Sequence, residues 1–175
     1  LAGGGILDVG LYPISFSRLI AGVATGEKFL EPKFIDAEAR IGETGVDEVA
    51  HANLEFKNGI KAKVSTAIRE SMKNNAVITG SEGTIELPDP WMPGRQGGPY
   101  HAKIIINKNG NEEVSDVKGP EHLFFFEGEL ASQCIAKEKT QPPHPAMTWE
   151  DTLGNLQALD AWREKVNYKL PQDEI

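Results

Sequence analysis

Ala50, Ala52, Leu54 and Phe56 alternate with polar neighbours, and Ile60, Ala62, Val64, Thr66 and Ile68 resume the alternation after Lys57-Asn58-Gly59. A period of two lines up each set on one face of an extended strand. Asn-Gly between two such runs closes them into a tight hairpin. A second pair, Ala76 to Thr79 and Thr84 to Leu87, flanks the turn Gly80-Ser81-Glu82-Gly83. A third has Ala102 to Asn107 running into Asn109-Gly110 before Glu112 to Val117. Upstream, from Lys33, the apolar positions Ile35, Ala37, Ala39 and Ile41 oppose Phe34, Asp36, Glu38 and Arg40, which reads as one more strand. Strands joined by turns this short pair antiparallel.

Helical spacing frames the strands. Leu7, Leu11, Ile14 and Leu19 form a stripe from about Gly5 to Ala21 with Gly22 as the stop. Pro13 withdraws one N–H and crowds the carbonyl four residues earlier, so this helix should kink or restart near Leu11. Leu123, Phe126, Leu130 and Cys134 mark a helix from about Glu121 to Lys139, with Phe124 to Phe126 expected in core and interface packing. Leu153, Leu156, Leu159, Trp162 and Val166 mark another from Trp149, capped by Thr148 with Asp151 three residues on. Residues 88–99, rich in proline and glycine, read as an exposed loop. Together these elements predict an α+β domain, a predominantly antiparallel sheet with helices packed on one face. Its other face, partly apolar at Ile104, Ile105 and Ile106, is left open for a partner.

The totals narrow the function. A chain of 175 residues fits one domain with a real core. A formal charge of −8 with scattered lysines argues against nucleic acid or an anionic membrane as partner. Cys134 is the single cysteine, which excludes an internal disulfide and suits the cytoplasm. No apolar run approaches the roughly 20 residues of a membrane span. A chain that opens on Leu1 reads as part of a longer protein.

The chemistry gathers near the amino end, in Gly3-Gly4-Gly5-Ile6-Leu7-Asp8-Val9-Gly10-Leu11-Tyr12-Pro13. The spacing puts the Asp8 carboxyl and the Tyr12 phenol on one side of a helical turn. Glycines before and between them let a backbone or ligand come close. An acid near a helix start is also favourable on its own, by about 0.3 to 1 kcal/mol. Arg18 is off Tyr12's face by helical phase and reads as a salt-bridge partner. His51, His101, His122 and His144 are too scattered for a metal site, so none is expected. No Gly-x-Gly-x-x-Gly is present, and Gly80 and Gly83 suit a hairpin turn.

The glycine run, the Asp-x-Gly-x-Tyr that follows and Arg18 resemble the start of the C-terminal domain of the glucose-fructose oxidoreductase, inositol dehydrogenase and MocA superfamily. The stretch Ile78 to Leu87 and the closing segment from Pro145 through Trp149-Glu150-Asp151-Thr152-Leu153 to Pro171-Gln172-Asp173 agree with it. The tyrosine form followed by Pro13 is similar to the dihydrodiol and xylose dehydrogenase branch.

That resemblance implies that residues 1–175 are the substrate-binding and dimerisation domain of an NAD- or NADP-dependent oxidoreductase acting on a sugar, polyol or diol. Tyr12 would be the acid or base at the substrate oxygen, Asp8 would contact substrate hydroxyls, and Gly4 and Gly5 would line the substrate site. A tyrosine, with an ordinary pKa of about 10, needs a nearby cation to work near neutrality. In the family a lysine of a Glu-Lys-Pro motif supplies it from the nucleotide-binding domain, and this sequence has no Glu-Lys-Pro. The dinucleotide-binding (Rossmann) domain is therefore expected outside this chain, the isolated domain is expected to bind no cofactor and to be inactive, and the parent is expected to be a homodimer paired through the open sheet face. The same fold without the chemistry, a carbohydrate-binding or assembly module, is the alternative.

Overall fold

The computed structural model describes residues 3–94, 98–170 and 173. It divides into two compact units, Leu1–Met72 with Pro143–Ile175, and Lys73–Pro142.

The first unit begins with α1 (Gly5–Asp8) and α2 (Leu11–Thr25), so the helix does restart at Leu11, as Pro13 requires. Gly22 does not stop it. The helix continues to Thr25 and ends at Gly26, which takes the left-handed cap at φ 77. Gly22 is needed for another reason, because an added Cβ would lie 2.5 Å from the Phe29 backbone nitrogen where the chain folds back. We expect Gly22→Ala to destabilise the protein by about 2 kcal/mol through this backbone clash, read from the urea midpoint.

Three antiparallel strands follow, β1 (Lys33–Ile41), β2 (Asp47–Glu55) and β3 (Lys61–Ala67), in the order β1-β2-β3. The β2–β3 hairpin is where the alternation placed it, with Ala50 opposite Thr66 and Leu54 opposite Ala62. Its turn is longer than a two-residue Asn-Gly loop. A 3-10 turn at Lys57–Gly59 sits inside the Phe56 N–H to Ile60 carbonyl bond of 2.7 Å, and Gly59 takes φ 78.

In β1 a register shift between Phe34 and Asp36 reverses the phase: Phe34 is buried, Ile35 is 46% exposed, and Ala37 and Ala39 pack inward. A second shift pairs Arg40 with Val49 but Ile41 with Asp47, leaving Glu48 as the extra residue. Asp47 thereby joins the buried face.

The helix α4 (Trp149–Lys165) completes this unit, and Thr148 caps it as expected, its Oγ1 accepting the Asp151 N–H at 3.2 Å. The core joins Ile6 and Ile14 to Ala50, Ala52, Leu54, Val64, Leu159 and Trp162. The buried face of α4 runs through Gly154, Asn155, Ala158, Leu159 and Trp162, whereas Leu153 and Leu156 of the expected stripe are more than half exposed.

The second unit holds β4 (Ala76–Gly80), β5 (Gly83–Leu87), β6 (His101–Lys108) and β7 (Asn111–Lys118), an antiparallel meander in that order, with α3 (Leu123–Ala136). All seven strands among the described residues are antiparallel and the class is α+β, but they form two sheets rather than one. Asn109 and Gly110, at φ 52 and 80, make the two-residue β6–β7 turn that Asn-Gly prefers. No described residue of this unit is fully buried. Phe124, Phe125 and Phe126 are 55, 48 and 37% exposed, which corrects the expectation of core packing, although Tyr100 meets Phe126 edge to face. Cys134 is partly buried. Residues 88–94 and 98–100 are irregular, and 95–97 of the expected loop lie outside the described residues. Of the closing segment, 171 and 172 lie outside them too.

Candidate active site

The glycine run is shaped by what lies beneath it. Gly4, at φ 101 and ψ 156, is buried, and an added Cβ would collide with Asp47 Oδ1. At Gly5 it would sit 3.2 Å from Asp47 Oδ2 and from Thr66 Oγ1. Three side chains hold the run: Asp47 Oδ2 accepts the Ile6 N–H at 2.7 Å, the Thr66 hydroxyl donates to the Gly5 carbonyl at 3.0 Å, and the Tyr168 hydroxyl donates to the Gly3 carbonyl at 3.1 Å. The close approach that these glycines permit is made by the chain's own carboxylate.

From this anchor the backbone leads directly to the two candidate residues. Asp8 ends α1, its N–H donating to the Gly4 carbonyl at 3.1 Å. Tyr12 lies in the first turn of α2, its N–H donating to the Val9 carbonyl at 3.3 Å. Val9 (φ −114, ψ −8) and Gly10 (φ −64, ψ −22) between them stay in the right-handed region, so the two remain about one helical turn apart. Gly10 is required because a Cβ there would strike the Ile6 carbonyl. Asp8 and Tyr12 both face solvent, Tyr12 at 46% exposure, so neither is sealed in hydrocarbon.

Arg18 is fully buried and structural, as its helical phase suggested. Its Nε and Nη2 clasp Glu31 at 3.1 and 2.5 Å, and Nη1 donates to Asn155 Oδ1 at 2.7 Å and to the Asp151 carbonyl at 3.1 Å. The guanidinium also covers the Phe29 ring at 4.6 Å. His51 bonds Ser65 and His101 pairs with Asp116, and no group of three or more His, Cys, Asp or Glu that could hold a metal ion occurs among the described residues.

Asp47 was invisible to pattern reading. Period two assigns the inward position to Glu48, and only the bulge moves Asp47 there. Burial pushes its carboxyl above the usual carboxylate value, against the opposing pull of the Ile6, Asp47 and Gly5 backbone amides and of Arg163.

The glycine run cannot take a dinucleotide diphosphate. Its Ile6 amide is already engaged, and an anion would meet the Asp47 carboxylate.

The family model described as the GFO/IDH/MocA C-terminal domain matches residues 1–86, which include the glycine run, Asp8, Tyr12 and Asp47. Over that span the chain is similar to the GFO/IDH/MocA C-terminal domain. Among curated relatives it is 31% identical to trans-1,2-dihydrobenzene-1,2-diol dehydrogenase of Xenopus laevis, over 98% of this chain and 49% of that protein. The Mus musculus enzyme of the same name is 26% identical over 99% of this chain and 49% of its own length. The chain thus spans about half the length of the relatives it matches.

Solved structures that share this fold include a 3-ketoreductase from Actinomadura kijaniata in complex with NADP, with a TM-score of 0.76, 22% identity and coverage of 94% of this chain and 48% of that one. An aldose-aldose oxidoreductase from Caulobacter crescentus complexed with glycerol aligns with a TM-score of 0.73 and 19% identity, over 94% and 46%.

Proposed function

We propose that this chain is the substrate-binding half of an NAD(P)-dependent oxidoreductase that interconverts an alcohol and a carbonyl on a sugar, polyol or diol. The observation that carries the reading is the exposed pair Asp8 and Tyr12, one turn apart, on helices whose start is pinned from β2, β3 and the segment after α4. Rigid elements position reacting groups better than loops do. The curated relatives are dehydrogenases of a diol, and the fold neighbours act on sugars or ketones.

In this reading the nicotinamide dinucleotide supplies hydride exchange and is held mainly by residues outside this chain, in a nucleotide-binding domain. This chain's residues handle the hydroxyl. Tyr12 Oη exchanges the proton at the substrate oxygen, the step that must accompany a change of oxidation state at the carbon. Asp8 accepts hydrogen bonds from neighbouring substrate hydroxyls and fixes which carbon faces the cofactor. Gly4 and Gly5, buried against Asp47, shape the base of the same wall through their backbone. The half-buried strands of the second unit, with Val77 and Val114 about half exposed, suit pairing of two copies through that sheet. The single Cys134 suits a reducing compartment such as the cytoplasm.

The complete protein should reduce NAD or NADP in the presence of vicinal diols or aldoses, followed at 340 nm, and should sediment as a dimer. A complete protein that binds sugars without any nicotinamide-linked turnover would favour the non-catalytic module instead.

A further inference from the structure

Asp47 is an uneconomical choice if it serves stability alone. Its side chain is fully buried, Oδ2 holds the Ile6 N–H, and Oδ1 has no hydrogen-bond partner and lies against Gly4. A buried carboxyl with an unused acceptor costs stability that a well-packed apolar residue at the same place would not. The charged groups nearby do not neutralise it through contact: Arg163 is tied to Asp160 and Asp173.

What the position provides is geometric. The four residues of α1 are too few to hold a helix by themselves, so outside contacts must set its direction. Asp47 grips the amide of the second residue of that turn, Ile6, Thr66 the carbonyl of Gly5 before it, and Tyr168 the carbonyl of Gly3. Of the three, only Asp47 presents a full or partial negative charge to the amino end of α1, where exposed N–H groups favour it. Rotation of α1 about this anchor would be amplified at its other end, and that end is Asp8. The bulge at Glu48, which aims Asp47 inward, exists at a cost to the β1–β2 ladder.

We propose that Asp47 is a positioning residue: through the Ile6 N–H it sets the direction of α1 and so holds the Asp8 carboxylate beside Tyr12 at the substrate. The inference rests on the roles given to Asp8 and Tyr12 under Proposed function, and its test separates the two.

In the complete enzyme, Asp47→Asn keeps size and an acceptor oxygen but loses the charge. It should lower kcat by about tenfold or more with KM changed by less than about threefold, because binding groups stay while reacting geometry loosens. Asp8→Asn should lower kcat by a similar or larger factor. The double variant should fall no further than Asp8→Asn alone, within about twofold, since a residue acting through another adds nothing once that other is gone. Losses that multiply would overturn the proposal and leave the role of Asp8 standing. Full activity of Asp8→Asn would overturn both.

Two further arms guard against a variant that fails to fold. Asp47→Ser leaves a smaller polar group that cannot reach Ile6, and the same pattern of kcat, KM and non-additivity is expected. In the unaltered protein the Ile6 amide should exchange with solvent at least about a hundredfold more slowly than an open amide, by hydrogen exchange. Fast exchange there would show that Asp47 does not hold α1.

Discussion

Tyr12→Phe in the complete enzyme should lower turnover by at least about a hundredfold, the usual worth of a positioned acid or base. The substitution removes one oxygen and keeps the ring. Tyr12 is 46% exposed at the first turn of α2, and the buried positions of that helix, Ile14, Arg18, Ala21 and Gly22, are left unaltered. The unfolding midpoint should therefore move by no more than about 2 °C. Substrate affinity should change far less than turnover, because the lost group acts on a proton that moves only as the reaction proceeds. Steady-state kinetics with a diol or aldose, beside a melting curve, make the measurement. Unchanged kcat would remove Tyr12 from the chemistry and with it the main support for the proposed function.

The largest expected loss of stability is at Arg18. Its guanidinium is fully enclosed and ties α2 to the loop at Glu31 and to α4 at Asp151 and Asn155. Arg18→Met keeps the stem and most of the volume but strands the buried Asn155 amide oxygen and leaves Asp151, only 13% exposed, without its cation. Removing one partner of such a network costs about 3 to 5 kcal/mol when the remaining groups stay buried. Glu31, half exposed, can return to water, which puts the expectation near the low end, about 3 kcal/mol. That is a large part of the roughly 5 to 15 kcal/mol that holds a domain together, and it should lower the midpoint by about 10 °C. Replacing Asn155 by Leu in the same background should recover part of the loss, since it removes the stranded amide oxygen while Asp151 stays without its cation. A midpoint within about 2 °C of the parent would show that the network is dispensable. Gly154 belongs to the same arrangement, because an added Cβ would press on Arg18 Nη2 and lie 2.5 Å from Glu31 Oε1.

Much of the architecture was legible because it depends on local rules. Alternation and Asn-Gly located the hairpins, Pro13 placed the break before α2, and Thr148 with Asp151 marked the start of α4. Asp8 and Tyr12 were legible as a pair because four residues make about one turn whatever the rest of the chain does. Periodicity failed where a single residue changes the phase. The shift after Phe34 exposed Ile35, and the extra residue at Glu48 hid Asp47, both against a strict period of two. It also failed on α4, where a polar Asn155 and a small Gly154 lie inward because Arg18 of another helix needs them there.

The sequence by itself determined the elements, their antiparallel pairing and the neighbourhood of a carboxyl and a phenol, since each follows from residues close together in the chain. Only the tertiary structure decided what the glycines at positions 3 to 5 are for. Their partners Asp47, Thr66 and Tyr168 come from three separate segments, the nearest some forty residues away. A buried carboxylate finds its amide through the closing of a whole core, and no local pattern records which one it will meet.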